Sequence, residues 1–433
     1  MGKRRKMNAD HVRPRNVPAP SPEALEQHLT SLVSPLVSAQ LSYYRQLGLR
    51  ARLLTLPLMI AALLTLVWRQ VPSVHELTRV LAREDLLWAK ATKVSQQALS
   101  ERLLVFPSEL FERVLLGLVD ELTQRWCGRT QRPLPPSLKW ATNHFERVWI
   151  VDGSTLEALF KKLKSLQEMS KKLGGKIYTI VDGCTHLPVH VKFEENPYAA
   201  DPNQWEWLRE VMPRNTLLLM DRGFYDFAEF DAVVQQGSHW ITRLKKASYQ
   251  VLDTFSNNPN VLDQLIRLGH RQGKATPIVV RLIKIRHGKT WYSYITSVTE
   301  PTLLPPYVVA DLYAHRWQIE TAFNLVKRLL GLSYLWTGSI NGIKLQIWAT
   351  WLFYAVLLDL CDAVADELML TTERISVEMV FRGLYHFHQA YNRGQATDFV
   401  AFLCAPENRD LGVVKQLRKS RQREPLNVDP FPT

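Results

Sequence analysis

Four short apolar runs beginning near residue 145, RVWIVD, KIYTIVD, LPVHVKF and TLLLMD, constrain most tightly what this chain can fold into. Each is too short for a helix and is bounded by turn residues, so each reads as a buried strand. Gly183 to His186 separate the second run from the third as a hairpin turn would. PNQWEWLREVM supplies a helix before the fourth run, DFAEFDAVVQQG one after it, and HWITRLK a fifth strand. Three strands in a meander, then helix, strand, helix, strand, is the pattern of an α/β domain built on one sheet.

Around that domain the spacing is helical. Over residues 22–140 apolar positions recur at helical intervals and Gly is nearly absent until Gly117, so an all-helical domain is expected. Within it two short helices meet at a turn near Lys90 to Val94. Ser95 is a plausible N-cap, and its helix runs to Pro107 with Gln96, Gln97 and Arg102 outward and Leu99 and Leu103 inward. Such a pair is compatible with a helix-turn-helix DNA reader, whose second helix lays its first residues on base edges; a pair that merely packs has the same pattern. Residues 1–21 carry Lys3, Arg4, Arg5, Lys6, Arg13 and Arg15 among prolines and suit a disordered basic arm.

The α/β domain is expected over residues 141–370. Residues 246–305 interrupt it with a β-rich insertion, in which apolar and basic residues alternate around the turn His287 to Lys289. IKLQIWATWLFYAVLLDLCDAV is helical and nearly apolar, and should close the core. Residues 371–433 make a helical region and a basic, proline-bearing tail.

Size and composition suit a folded soluble protein of two or three domains: 433 residues, 46% hydrophobic and 22% charged. The apolar run at 53–68 holds Pro57, is bracketed by Arg52 and Arg69, and falls short of the ~20 residues a membrane span needs. Cys127, Cys184, Cys361 and Cys404 are far apart with no CxxC pair, which argues against a zinc ribbon or a disulfide framework and fits a reducing cytoplasm. A formal charge of +13 points to an anionic partner, although membrane-surface and ribosomal proteins share such a balance.

The stretch DLYAHRWQIETAFNLVKRLLGL refines that partner. If it is one helix, ~100° per residue brings Tyr313, Arg316, Glu320 and Lys327 within an arc of roughly 60°. A carboxylate flanked by phosphate-binding cations is what metal-dependent phosphoryl transfer on nucleic acid requires. Asp152 and Asp221, each expected at a strand end, complete an acidic set with Glu320 that could hold two Mg²⁺ ions, with Mn²⁺ as a substitute. Each alone has a plainer explanation, as a turn aspartate or a solvated helical glutamate. Asp182, also before a Gly, is set aside because it opens the hairpin turn.

The spacing Tyr313-x2-Arg316-x3-Glu320-x6-Lys327, with VWIVDGSTL and LLLMDRGFYD in the right order before it, resembles the signature of the IS4 family of bacterial DDE transposases. The resemblance covers roughly residues 145 to 335. It implies a ribonuclease-H-like catalytic domain with a β insertion between its second aspartate and its glutamate, and Asp152, Asp221 and Glu320 as the metal-binding catalytic set. It also implies that Tyr313, Arg316 and Lys327 grip phosphates near the cleaved end. Trp291, 22 residues before Tyr313, resembles by position a tryptophan that stacks on a flipped base. Trp317 is expected to pack beside the site.

The same resemblance implies a bacterial, cytoplasmic and nucleoid-associated enzyme that acts on terminal inverted repeats and target DNA as a homodimer, by a cut-and-paste route of excision and strand transfer. Two other readings stand beside it: a ribonuclease-H-like nuclease or resolvase without strand transfer, and a domesticated, non-catalytic DNA-binding protein. The helical domain and the basic insertion favour the transposase, because a simple nuclease needs neither.

Overall fold

The computed structural model describes residues 23–49, 52–156, 175–196, 198–269, 278–332 and 335–414. The expected basic arm at 1–21 and the tail from Lys415 lie outside the described residues. The described chain divides into two compact units, one from residues 23–132 and 322–414, the other from 133–155 and 175–321.

The first unit is helical. Its axis is the helix Ile340–Glu367, opened by Ser339, whose hydroxyl accepts from the Gly342 N–H at 3.1 Å. That helix is apolar around its circumference, so it must be covered on every side. Glu109–Gly128, Leu56–Trp68, Gln96–Val105 and Val377–Asn392 provide the cover. By length and composition it could cross a membrane, yet 94% of its most apolar window is buried inside the protein. Near its end Asp359 and Asp362 meet Arg129 at 2.7 and 2.8 Å, and Arg132 reaches Asp362 at 2.6 Å. The apolar run at 53–68 is the buried helix Leu56–Trp68, with Thr55 as its cap. Residues 322–370, expected with the α/β domain, therefore group with the amino-terminal helices. An all-round apolar helix needs cover on every side, and the neighbouring helices supply it.

The second unit is a nine-stranded sheet: β1 Arg147–Thr155, β2 Lys176–Asp182, β3 Pro188–Glu194, β4 Thr216–Met220, β5 His239–Arg243, β6 Tyr249–Asn257, β7 Val261–Leu268, β8 Ile278–His287 and β9 Thr290–Thr296. The spatial order is β3-β2-β1-β4-β5-β9-β8-β7-β6. β1, β2 and β3 pair antiparallel, while β1, β4 and β5 run parallel. The expected meander and its two helices, Trp205–Val211 and Phe227–Gln235, are present.

The segment read as an insertion extends this same sheet, because β9 pairs antiparallel with β5. Without β9, β5 would leave a row of backbone donors and acceptors unpaired. One face of the sheet is a packed core of Trp149, Val151, Tyr178, Met220, Trp205 and Trp240, with Trp240 stacked on Phe230 at 4.1 Å. On the extended part, Arg281 and Asp263 form a fully buried two-pronged ion pair at 2.7 and 2.6 Å, and Arg281 also donates to the Leu304 carbonyl.

Candidate active site

The parallel ladder between β1 and β4 stops at Val151 opposite Met220. One residue further, both strands carry a carboxylate, so Asp152 and Asp221 stand side by side. Side chains alternate along a strand, which turns both away from the packed face that holds Val151 and Met220. β1 continues against β2 as far as Thr155, so Asp152 is held within a strand. Asp221 ends β4 and opens the short turn Arg222–Phe224. Asp182 accepts from the Cys184 and Thr185 N–H groups at 3.0 and 2.8 Å, pinned in its hairpin turn.

Glu320 arrives differently from the single helix that its spacing suggests. The helix Pro306–His315 ends at Arg316, and a second helix, Trp317–Asn324, follows. The Arg316 N–H bonds the Tyr313 carbonyl and the Ile319 N–H bonds the Arg316 carbonyl, both at 3.3 Å, which is the tighter three-residue winding. After Asn324 the turn Leu325–Leu329 is π-helical, so the constant period that aligned all four residues does not persist.

Tyr313, Arg316 and Glu320 nevertheless meet the aspartates. Arg316 Nη1 lies 2.8 Å from Asp152 Oδ2, and its Nη2 lies 3.6 Å from Glu320 Oε1. The Tyr313 hydroxyl donates to Asp221 Oδ1 at 3.5 Å. Lys327 belongs to the helical unit, with its ammonium 5.9 Å from the Phe323 ring.

Burial sets the electrostatics. Desolvation pushes the Asp152 carboxyl up to about 6, while the Arg316 guanidinium and the Gly153 N–H pull it down and the charges of Glu320 and Asp221 push it further up. The Tyr313 phenol is pushed up to about 12 by burial, so at neutral pH it keeps the proton it offers Asp221. Among the described residues no three His, Cys, Asp or Glu side chains are gathered tightly enough to hold one ion. Arg316 lies between Asp152 and Glu320 and serves as their counter-charge.

Other residues fall where the sequence gives little warning. Arg243 ends β5 opposite Tyr294 of β9, and its Cζ lies 5.5 Å from the Tyr292 ring. The Tyr294 ring lies 5.3 Å from that of Tyr313, so these residues line the carboxylate face of the sheet. Carrying the strand register across from Asp221 would have found Arg243. Trp291, by alternation, falls on the opposite face from Tyr292 and Tyr294, pairs in register with Arg286 and is 43% exposed. Trp317, expected to pack, is 60% exposed, with Arg316 Cζ 5.3 Å from its ring.

In the helical unit Ser95 does cap Gln96–Val105, and Gln96 and Gln97 are exposed. The helix before it, Val74–Leu81, is joined to it by residues 82–95, a longer connection than the three or four residues of a helix-turn-helix. Arg102 turns inward instead of outward: it donates to the Tyr44 hydroxyl and to the Leu54 carbonyl, and lies over the Phe106 ring at 5.4 Å. Its long stem packs while its fork satisfies a backbone acceptor.

Several known proteins are similar to this chain in sequence. The family model described as the transposase DDE domain matches residues 143–356. The transposase InsG for insertion sequence element IS4 of Escherichia coli K12 is 28% identical over 34% of this chain and 36% of its own length. A putative transposase of Sinorhizobium fredii, y4zB, is 25% identical over 32% of this chain and 41% of its own length, so the chain spans well under half of these two relatives. The probable transposase for insertion sequence element IS5377 of Geobacillus stearothermophilus is 26% identical over 64% of this chain and 70% of its own. A piggyBac transposase synaptic complex with hairpin DNA, at 12% identity, covers 90% of this chain and 86% of that one at a TM-score of 0.43. Residues 143–356 thus carry a transposase DDE domain, and the three motifs that resemble IS4 transposases lie inside it.

Proposed function

We propose that this protein is the transposase of a bacterial insertion sequence, which binds the element's terminal inverted repeats, cuts the DNA with Mg²⁺ and joins the 3′ ends to a target by a cut-and-paste route. The observation that carries the reading is the meeting of Asp152, Asp221 and Glu320 through Arg316 and Tyr313, on sheet and helix ends remote in sequence. The order β3-β2-β1-β4-β5, with its antiparallel meander and parallel pairs, supports a ribonuclease-H-like domain. The organisation that goes with it is a helical DNA-binding region, a two-ion site, a homodimer on paired ends and a cytoplasmic, nucleoid-associated location.

The donor set fits a hard divalent cation, since all three groups offer carboxylate oxygen. Asp152, Asp221 and Glu320 would hold the ions, which when bound supply Lewis acidity at the phosphoryl oxygens and a more acidic attacking water or 3′-hydroxyl. Tyr313 orients Asp221 by its hydroxyl. Arg316 keeps the buried Asp152 compensated until cations arrive, and its planar fork then suits a DNA phosphate. Lys327 offers a further point charge to the backbone.

DNA from the two flanks of the coding sequence is the test. Wild-type protein should nick and join these ends in Mg²⁺ or Mn²⁺ and integrate them into a plasmid. Cutting without any joining would leave a nuclease, and activity after exhaustive chelation would remove metals from the mechanism.

A further inference from the structure

Two glycines beside the candidate catalytic aspartates have no room for a side chain. A Cβ on Gly153, the residue after Asp152, would come within 2.6 Å of the Tyr178 ring and 2.7 Å of Lys176 Cε. On Gly223, two residues after Asp221, it would overlap Asp201 Oδ2. Neither glycine adopts a positive φ, so space and not backbone conformation requires them.

The groups that fill this space form one cluster. The Lys176 ammonium donates to Asp201 Oδ1 and, at 3.2 Å, to the Ala199 carbonyl. The Tyr178 hydroxyl lies 3.2 Å from Asp201 Oδ1 and 3.1 Å from the Ala199 carbonyl. Lys176 also sits 4.7 Å from the centre of the Tyr178 ring. The two charged side chains are 13% and 22% exposed, so water screens them only in part.

Tyr178 pairs with Gly153 in the β1–β2 register, which places the cluster behind the sheet, on the face away from the Asp152 carboxylate. It touches backbone and cannot touch a substrate held by the aspartates. The last pair of the β1–β4 ladder is Val151 with Met220, so Asp152 and Asp221 lie one residue past it. Lys176, from the strand next to β1 and packed on Gly153, and Asp201, packed on Gly223 in the turn after Asp221, link these two strand positions behind the sheet.

We propose that Lys176 and Asp201 are positioning residues, an ion pair that fixes the separation of Asp152 and Asp221 and thereby the geometry in which these carboxylates share divalent cations. This rests on the transposase reading for its reaction, though not for its metal-binding consequence. A purely structural pair would lower stability when broken and leave the carboxylates equally able to bind ions once folded.

The experiment compares full-length wild type with Lys176→Met, Asp201→Asn and Lys176→Arg. Each is titrated with Mn²⁺ alone by calorimetry, and each is assayed for single-turnover cutting of a labelled duplex from the element's flank at saturating protein and Mn²⁺. Lys176→Met and Asp201→Asn should weaken Mn²⁺ binding roughly 10- to 100-fold, as loss of groups behind a metal ligand does. Cutting should slow on the order of 10²-fold with duplex affinity unchanged, since small misplacements of reacting groups cost that much. Lys176→Arg, which keeps the charge, should recover both. Unchanged Mn²⁺ affinity in folded Lys176→Met or Asp201→Asn overturns the proposal, as does an Lys176→Arg protein that is as impaired as Lys176→Met. A wild type that binds Mn²⁺ but never cuts would sink the transposase reading while the Mn²⁺ comparison still decides the role of the pair.

Discussion

Divalent cation binding should depend on pH through Asp152. A cation must displace any proton on that carboxyl, which burial holds at about 6 against the pull of Arg316. Below that value apparent affinity falls tenfold per pH unit, so between pH 7 and pH 5 Mn²⁺ should weaken about tenfold, or about 1.4 kcal/mol. Calorimetry in buffers of different ionisation enthalpy should also show about one proton released per binding event at pH 5 and almost none at pH 7.

The same shift acts on folding with a defined sign. The folded value lies above the 3.8 of an ordinary aspartate, so in the metal-free protein the contribution to stability is present below pH 3.8 and is lost as pH rises through about 6. The difference is on the order of 3 kcal/mol, and it should disappear from the pH profile of Asp152→Asn relative to wild type. Mn²⁺ affinity that stays level from pH 5 to pH 7, with no proton release, would mean that Arg316 outweighs burial or that Asp152 is no ligand.

Amide replacement of Asp152, Asp221 or Glu320 should abolish cutting and joining while leaving duplex affinity within a few fold, and a single amide variant that nicks normally in Mg²⁺ removes its residue from the site. Asp263→Ala strands the Arg281 guanidinium in a dry interior and should cost about 3 to 5 kcal/mol in denaturant unfolding, whereas a loss below 1 kcal/mol would contradict the buried pair. Gln96→Ala with Gln97→Ala should weaken binding to the element's own ends by roughly 1 to 3 kcal/mol per lost base contact and spare random duplex; equal losses on both would make them phosphate contacts or bystanders. Arg102→Ala should instead lower the thermal midpoint, because its partners Tyr44 and Leu54 lie within the helical unit. Trp291→Ala, if Trp291 stacks on a flipped base, should spare the first nick and slow later steps, and wild-type time courses throughout would return Trp291 to an ordinary surface position.

What could be read from the chain is what is local in it. Apolar runs of strand length marked β1 to β5, and the carboxylate after each of two runs marked where the β1–β4 ladder stops; Asp221 also ends its strand, whereas β1 stays paired with β2 past Asp152 to Thr155. β6 left no such mark: YQVLDTFSN is exposed along nearly its whole length, so no alternation betrays it. The break at Arg316 is equally silent, for AHRWQIE holds neither Pro nor Gly, and the contacts of Arg316 with Asp152 and Glu320 that accompany it lie partly outside the local sequence. Asp201 lies 25 residues from Lys176 in a connection that reads only as a turn, so its seat against Gly223 appears only once the strands are placed.

The break at Arg316 also decides which carboxylate receives its charge. On an uninterrupted helix the residues from Tyr313 to Lys327 would keep one phase, and a guanidinium one turn before Glu320 would pair chiefly with that glutamate. The tighter turn gives Arg316 a different direction, and its shorter contact is with Asp152 at 2.8 Å, while Glu320 stands at 3.6 Å. The better-compensated group is thus the more deeply buried one, at 15% side-chain exposure against 43% for Glu320. An unpaired carboxylate at the depth of Asp152 would be costly, and one at that of Glu320 is hydrated. Arg316 therefore supplies its charge where desolvation is greatest, and Glu320 and Asp221 stay open to whatever cation enters from solvent.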